Sequence, residues 1–296
     1  MKHFTEFFLL AIGLALSCQP KPKTPQLVDQ KLVYLAVRDG NYDLFLSDED
    51  GSNEIQLTTQ PGFDWGARWS PALNGILHYT QDTAGNFSHQ LISATGEPIK
   101  YAFPDLPDYQ LDHLGNRVAF TEKVGESTHI FVQELPKDEA EEITMGDAYF
   151  GRPKWSPVAT ELLMVSDITG NSELHLYLFE DNRLEQLTSG EGRAKYASWS
   201  PDGQKIAFTR EVLEEPKKEH EIYILDMASR EVTQLTHTTF GEQEISWSPM
   251  GDKIAYHGTI DGKDHIYTLD IATGEVVKVT NGQGYHGEPT WAPIYR

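Results

Sequence analysis

The motif Trp-Ser-Pro returns through this chain at a nearly constant interval, and that recurrence limits the fold more than any other feature. "ASWSPDGQKIAFTR" begins at Ala197, and related stretches are "ARWSPALNGILHYT" at Ala67, "PKWSPVATELLMVS" at Pro153, "ISWSPMGDKIAYHG" at Ile245 and "PTWAPIYR" at Pro289. A degenerate copy, "QLDHLGNRVAFTE", aligns Val118-Ala119-Phe120 with Ile206-Ala207-Phe208 and puts Leu111 where Trp would stand. The anchors are then Trp69, Leu111, Trp155, Trp199, Trp247 and Trp291, spaced 42, 44, 44, 48 and 44. Five of the 6 tryptophans occupy this one position.

A period near 44 suits propeller blades, each a meander of four short strands. In the unit that opens at Trp199, one strand ends at the Trp and Ser200-Pro201-Asp202-Gly203 turns. Lys205 to Thr209, Glu221 to Asp226 and Glu231 to Leu235 then run as alternating or wholly apolar segments. The insertion "EVLEEPKKEHE" accounts for the 48-residue interval. Leu32 to Thr58 supplies a second, third and fourth strand without a first, and Trp291 begins a unit that then stops. Joined, they make one blade, and the join hides two sheet edges. The expected fold is therefore all-β: a six-bladed β-propeller of four-stranded antiparallel blades over residues 31–296. Its ring would close by pairing of the C-terminal strand at Trp291 with the N-terminal segment.

The remaining residues read as targeting and tether. Lys2 and His3 precede a ten-residue apolar run, Phe7 to Leu16, of signal-peptide length. Ala15-Leu16-Ser17-Cys18 resembles a bacterial lipobox, in which the peptide is cut before a lipidated cysteine. Residues 1–17 are thus expected to be a lipoprotein signal peptide and Cys18 the lipid-bearing residue, placing the protein in the bacterial cell envelope, facing periplasm or cell surface. Pro20, Pro22 and Pro25 make residues 18–30 an extended tether. The single cysteine excludes an intramolecular disulfide. Lys+Arg 24 against Asp+Glu 45 gives a net charge of −21, which repels phosphate backbones, so no nucleic-acid partner is expected.

"WSPDGQKIAF", "DGKDHIYTLDIATGEVVKVT" and the ending "GEPTWAP" are similar to the repeats of TolB-like six-bladed propellers, whose last strand also closes the ring. The resemblance covers Leu32 to Arg296. It implies an envelope protein or peptide as partner, and a monomer. Related repeats occur in peptidase propeller domains and polysaccharide lyases. The segment before Leu32 reads as a tether and not as the α/β domain that precedes the propeller in TolB.

Chemistry is not expected at the repeated motif. Ser70, Ser156, Ser200 and Ser248 recur without a repeated His or acid beside them and read as turn caps. No G-x-S-x-G or H-E-x-x-H occurs, and "SDEDG" at Ser47 reads as a tight turn, not a calcium loop. The unrepeated residues just before each anchor would line the mouth of the channel. They include Asp64 and Arg68; Asp105 and Asp108; Arg152 and Lys154; Arg193 and Lys195; Glu242 and Glu244; His286 and Glu288. Two successive blades are basic and the next two acidic, a polarised mouth suited to a charged partner. The first expectation is a non-enzymatic binding propeller without a cofactor. The alternative is a metal-dependent polysaccharide lyase or glycan-binding propeller, with a divalent metal ion on His237, His257 and His286 near Gln243.

Overall fold

A computed structural model describes residues 27–104, 106, 109–137, 139–213 and 220–295. The expected signal peptide, Cys18 and most of the expected tether lie outside the described residues, as do Asp105 and Asp108.

Among the described residues, twenty-three strands build six radial blades, with blades 6 and 1 linked by one parallel pair, Tyr42 and Phe63. The N-terminal strands β1 (Leu27–Arg38), β2 (Asn41–Ser47) and β3 (Ile55–Gln56) belong to blade 6. Blade 1 holds β4 (Gly62–Ser70), β5 (Gly75–Asp82) and β6 (Phe87–Ile92), and an Ile92–Pro98 bridge stands for its fourth strand. Blade 2 is β7 (Tyr109–Leu111), β8 (Arg117–Val124), β9 (Ser127–Glu134) and β10 (Ala140–Glu142). Blade 3 is β11 (Phe150–Trp155), β12 (Glu161–Ser166), β13 (Glu173–Leu178) and β14 (Arg183–Gln186). Blade 4 is β15 (Ala194–Trp199), β16 (Lys205–Glu211), β17 (His220–Asp226) and β18 (Val232–Gln234). Blade 5 is β19 (Glu242–Trp247), β20 (Lys253–Ile260), β21 (Lys263–Asp270) and β22 (Val276–Lys278). The last strand, β23 (His286–Tyr295), is the innermost strand of blade 6.

The register confirms the repeat. Trp69 pairs with Ile76, Leu111 with Val118, Trp155 with Leu162, Trp199 with Ile206 and Trp247 with Ile254, each seven residues on. Trp291 pairs with Leu32, the same relationship made across the chain ends. Pairing continues from Ala36–His286 to Leu27–Tyr295, so β1 begins four residues before the expected domain start at 31. An extended partner strand was available there, and a chain beside an unpaired edge adds to it.

Three of the anchors bond to the neighbouring blade. Trp155 Nε1 donates to Gln110 O at 2.9 Å, Trp199 Nε1 to Lys154 O at 3.2 Å and Trp291 Nε1 to Ser246 O at 3.1 Å. Each acceptor is the carbonyl just before the anchor of the preceding blade. Such a bond is worth about 1 kcal/mol net, and the indole adds its buried area. Apolar residues on the blade faces form one cluster per seam: Leu163, Leu174 and Leu176 of blade 3 meet Ile206 and Phe208 of blade 4, for example. The core is therefore six sheet-on-sheet sandwiches arranged around the channel.

Candidate functional site

The innermost strands carry the same irregularity. A β-bulge falls between Trp65 and Arg68, Gly151 and Lys154, Lys195 and Ser198, and Gln243 and Ser246, with its counterpart opposite Val33 and Leu35 in blade 6. Three residues before each anchor tryptophan the backbone is left-handed: Gly66 (φ 65°), Arg152 (55°), Tyr196 (41°), Glu244 (51°) and Glu288 (53°). In sequence the corresponding residue of blade 2 is Asp108, outside the described residues. Left-handed backbone costs a non-glycine residue roughly 1–2 kcal/mol, and such outliers gather at binding sites. Here the bulge turns the side chain off the blade face toward the axis.

These residues reach from blade to blade around the mouth. The Arg152 guanidinium lies over the Tyr196 ring, 4.4 Å from its centroid, and Tyr196 Oη donates to Gln243 Oε1 at 3.3 Å. Glu244 Oε2 accepts the backbone N–H of Glu288 at 2.8 Å, and Glu288 Oε2 accepts that of Gly66 at 2.6 Å. Tyr285 Oη also donates to Glu244 Oε2, at 3.4 Å. Glu288 is held above the usual carboxylate range by burial and by the charge of Glu244, against the Gly66 N–H bond. Gly66 is required: a Cβ there would come within 2.6 Å of Tyr79 Cδ2.

Behind this ring lies a channel cavity of about 530 Å³. Gly66, Arg152, Tyr196, Glu244 and Glu288 line it, followed by Arg68, Gln110, Lys154, Ser198, Ser246 and Thr290, the residues just before the anchors. Arg152 and Lys154 of blade 3 thus stand across the cavity from Glu288 of blade 6, with Glu244 in blade 5 next to it and Arg68 in blade 1 on its other side. Arg68 is anchored by donating to Tyr109 O at 2.5 Å, Tyr79 Oη at 3.1 Å and Gly66 O at 3.2 Å.

The structure brings together Arg68, Arg152, Lys154, Glu244 and Glu288, and separates the other described members of the expected mouth from the cavity. Arg193 is exposed and Lys195 half-buried on the rim, outside the cavity lining. Glu242 and His286 are turned away. They lie five residues before their anchors, with Asp64, Phe150 and Ala194, and all five are at most 3% exposed. At this position the pleat directs the side chain into the seam between blades.

The polar members have local partners: Asp64 faces His78 Nε2 at 3.4 Å, and His286 Nδ1 lies 3.1 Å from Asp264 O. Glu242 accepts from Ile222 N and from Thr236 Oγ1. Burial pushes its carboxyl up to about 8, and the Glu221 charge adds to this.

The three histidines of the lyase alternative do not converge. His237 is exposed beside Gln234 Nε2 at 3.0 Å. His257 is buried between Asp264 Oδ1 (3.1 Å) and Glu244 Oε2 (3.6 Å), and His286 stacks on His265 with centroids 5.3 Å apart. Among the described residues, no group of three or more His, Cys, Asp or Glu side chains is placed to hold a metal ion.

The serines of the repeated motif cap turns. Ser200 Oγ accepts from Lys205 N at 2.8 Å and Ser248 Oγ from Lys253 N at 3.0 Å, while Ser156 Oγ accepts from Ala159 N at 3.2 Å. At "SDEDG", Asp50 Oδ1 accepts from Ser52 N at 2.9 Å within the β2–β3 turn.

Residues that the sequence reading did not single out are Gly66, Tyr196, Tyr285 and Trp65, the last lining the cavity and stacking on Tyr79. For two blades a signal existed: "YFGRPKW" and "YHGEPTW" share Tyr, Gly, Pro and Trp around the bulge residue.

Fold and channel define a closed six-bladed β-propeller with a charged axial cavity. Its fold is TolB-like. The structure superposes on TolB from Acinetobacter baumannii with a TM-score of 0.72 at 20% identity, covering 89% of this chain and 67% of that one. A propeller from the nidogen/laminin complex matches with a TM-score of 0.65 at 12% identity, covering 89% and 98%. An oligogalacturonate lyase in complex with manganese matches with a TM-score of 0.56 at 17% identity, covering 85% and 74%. At these identities the likeness is one of fold, which these proteins combine with different activities. The sequence matches no family model and no curated protein.

Proposed function

We infer that this protein is a non-enzymatic binding propeller of the bacterial cell envelope, and that it engages a protein or peptide partner at the channel mouth. The observation that carries the reading is the ring of left-handed bulge residues, which holds Arg152 on one side of a 530 Å³ cavity and Glu244 and Glu288 on the other. Four long side chains are kept in a costly backbone conformation at a position where glycine also fits the fold, as Gly66 does in blade 1. Fixed charges on a rigid rim orient a partner and exclude partners of the wrong pattern. Similarity in fold to TolB and to a propeller from the nidogen/laminin complex supports a protein partner. Anchoring through Cys18 would hold the propeller at a membrane surface.

The test is a crosslinking pull-down from intact cells. Wild type should recover a partner that a variant with Arg152, Lys154, Arg193 and Lys195 all changed to Glu does not. Equal recovery would remove the mouth from the account.

A further inference from the structure

We propose that the mouth reads the charge polarity of an extended peptide, binding its carboxylate end at Arg152 in blade 3 and its cationic end at Glu288 in blade 6. The proposal rests on the binding role above and specifies the ligand.

Its basis is a pair of charge-swapped twins. Tyr149-Phe150-Gly151-Arg152-Pro153-Lys154-Trp155 and Tyr285-His286-Gly287-Glu288-Pro289-Thr290-Trp291 share Tyr, Gly, Pro and Trp at matching positions. Their backbones match too, with φ of 55° at Arg152 and 53° at Glu288. In both, the tyrosine folds across the glycine. A Cβ on Gly151 would lie 2.1 Å from Tyr149 Oη, and one on Gly287 would lie 2.0 Å from Tyr285 Oη. Blades 3 and 6 are three apart in a ring of six, so the twins stand half a turn apart across the cavity that both line. The frame is the same and the sign is opposite.

The bulge residue of the following blade complements each pole. After blade 3 it is Tyr196, whose ring face receives the guanidinium; after blade 6 it is Gly66, whose bare N–H receives the carboxylate. A second like charge adjoins each pole on the cavity wall, Lys154 beside Arg152 and Glu244 beside Glu288. Single-sign ligands would meet attraction at one side and repulsion at the other. A ligand with opposite charges at its two ends satisfies both.

The test uses eight-residue peptides carrying an uncharged BODIPY dye and blocked at both termini, built from Gly, Ser and Tyr, with either one Asp and one Lys near opposite ends, two Asp, or two Lys. Anisotropy at low ionic strength avoids screening of the contacts. Wild type should bind the mixed-charge peptide at least tenfold more tightly than either of the others. Arg152→Glu should transfer the preference to the two-lysine peptide. Glu288→Gln, which can still accept the Gly66 N–H, should reduce the mixed-charge peptide to the affinity of the two-aspartate one.

A peptide without charged side chains but with free termini that binds as well as the mixed-charge one would identify chain termini as the source of the charges. One that binds no better than its blocked form would identify side chains. Both outcomes support the polarity. Binding of the three blocked peptides within twofold, no measurable binding of any, or an unchanged preference in Arg152→Glu overturns it. If the pull-down difference persists in that case, mouth binding stands and only polarity fails.

Discussion

Glu288 of blade 6 holds the backbone N–H of Gly66 in blade 1 at 2.6 Å, so the C-terminal strand β23 is tied to blade 1 at the mouth as well as to β1 within its own blade. The contact requires a residue without a side chain at 66. An added Cβ would press on the Tyr79 ring, and the φ of 65° disfavours any other residue. Gly66→Ala is expected to cost on the order of 1–3 kcal/mol in urea denaturation, from strain and the displaced bond. Loss of partner capture should exceed what the unfolded fraction explains.

Ring closure has its own test. Trp291 is 3% exposed, pairs with Leu32 and donates to Ser246 O in blade 5. Trp291→Ala removes a large buried side chain and an inter-blade hydrogen bond, and roughly 3–5 kcal/mol of stability should go with them. Limited proteolysis should then cut within residues 27–38 faster than in wild type. Unchanged cleavage there would mean that β23 does not guard this edge.

The seam between blades 4 and 5 predicts a pH dependence. Glu242 has its carboxyl pushed up to about 8 in the fold, against an ordinary value of 4.5. The folded state therefore binds more protons than the unfolded one between those values, and stability falls as pH rises from about 4.5 to 8. The loss is at most about 5 kcal/mol over that window. Glu242→Gln should match wild type near pH 5 and exceed it at pH 8 to 9 in thermal denaturation.

His265 acts in the opposite sense. Burial, with the charge of Lys278 next, pushes it down to about 4 from 6.5, so its contribution rises with pH between those values. Glu242→Gln should therefore leave an acid-side loss intact. A persisting alkaline slope in that variant would place its origin elsewhere.

The fold was legible in the sequence because each anchor before Trp291 holds the same register with the residue seven positions on, and three of the anchor tryptophans, Trp155, Trp199 and Trp291, also bond the preceding blade, which keeps the spacing nearly constant. Even Leu111, which lacks the indole, keeps its register with Val118. The site was legible only in part. Charges near each anchor located the mouth, but loop proximity does not separate residues three before the anchor from those five before it. The bulge sends Glu244 to the channel, and the pleat sends Glu242 into the seam. Phe150 and Ala194 at the latter position were the available hint that it is interior. Nothing in the identity of Arg152, Tyr196 or Glu288 announces left-handed backbone; of the five described positions only Gly66 does. The histidines failed as a set because His237 follows an outer strand, whereas His257 and His286 belong to inner ones.

The most direct test of the central claim is site-specific photocrosslinking in intact cells. A photoreactive residue replaces Arg193 on the mouth rim in one protein and Met250, 66% exposed in a turn at the other end of the innermost strands, in another. The account predicts a discrete adduct with one partner protein from position 193, lost when Arg152 and Lys154 are changed to Glu, and none from position 250. An adduct from 250 alone, or one from 193 that survives the charge reversal, would contradict it.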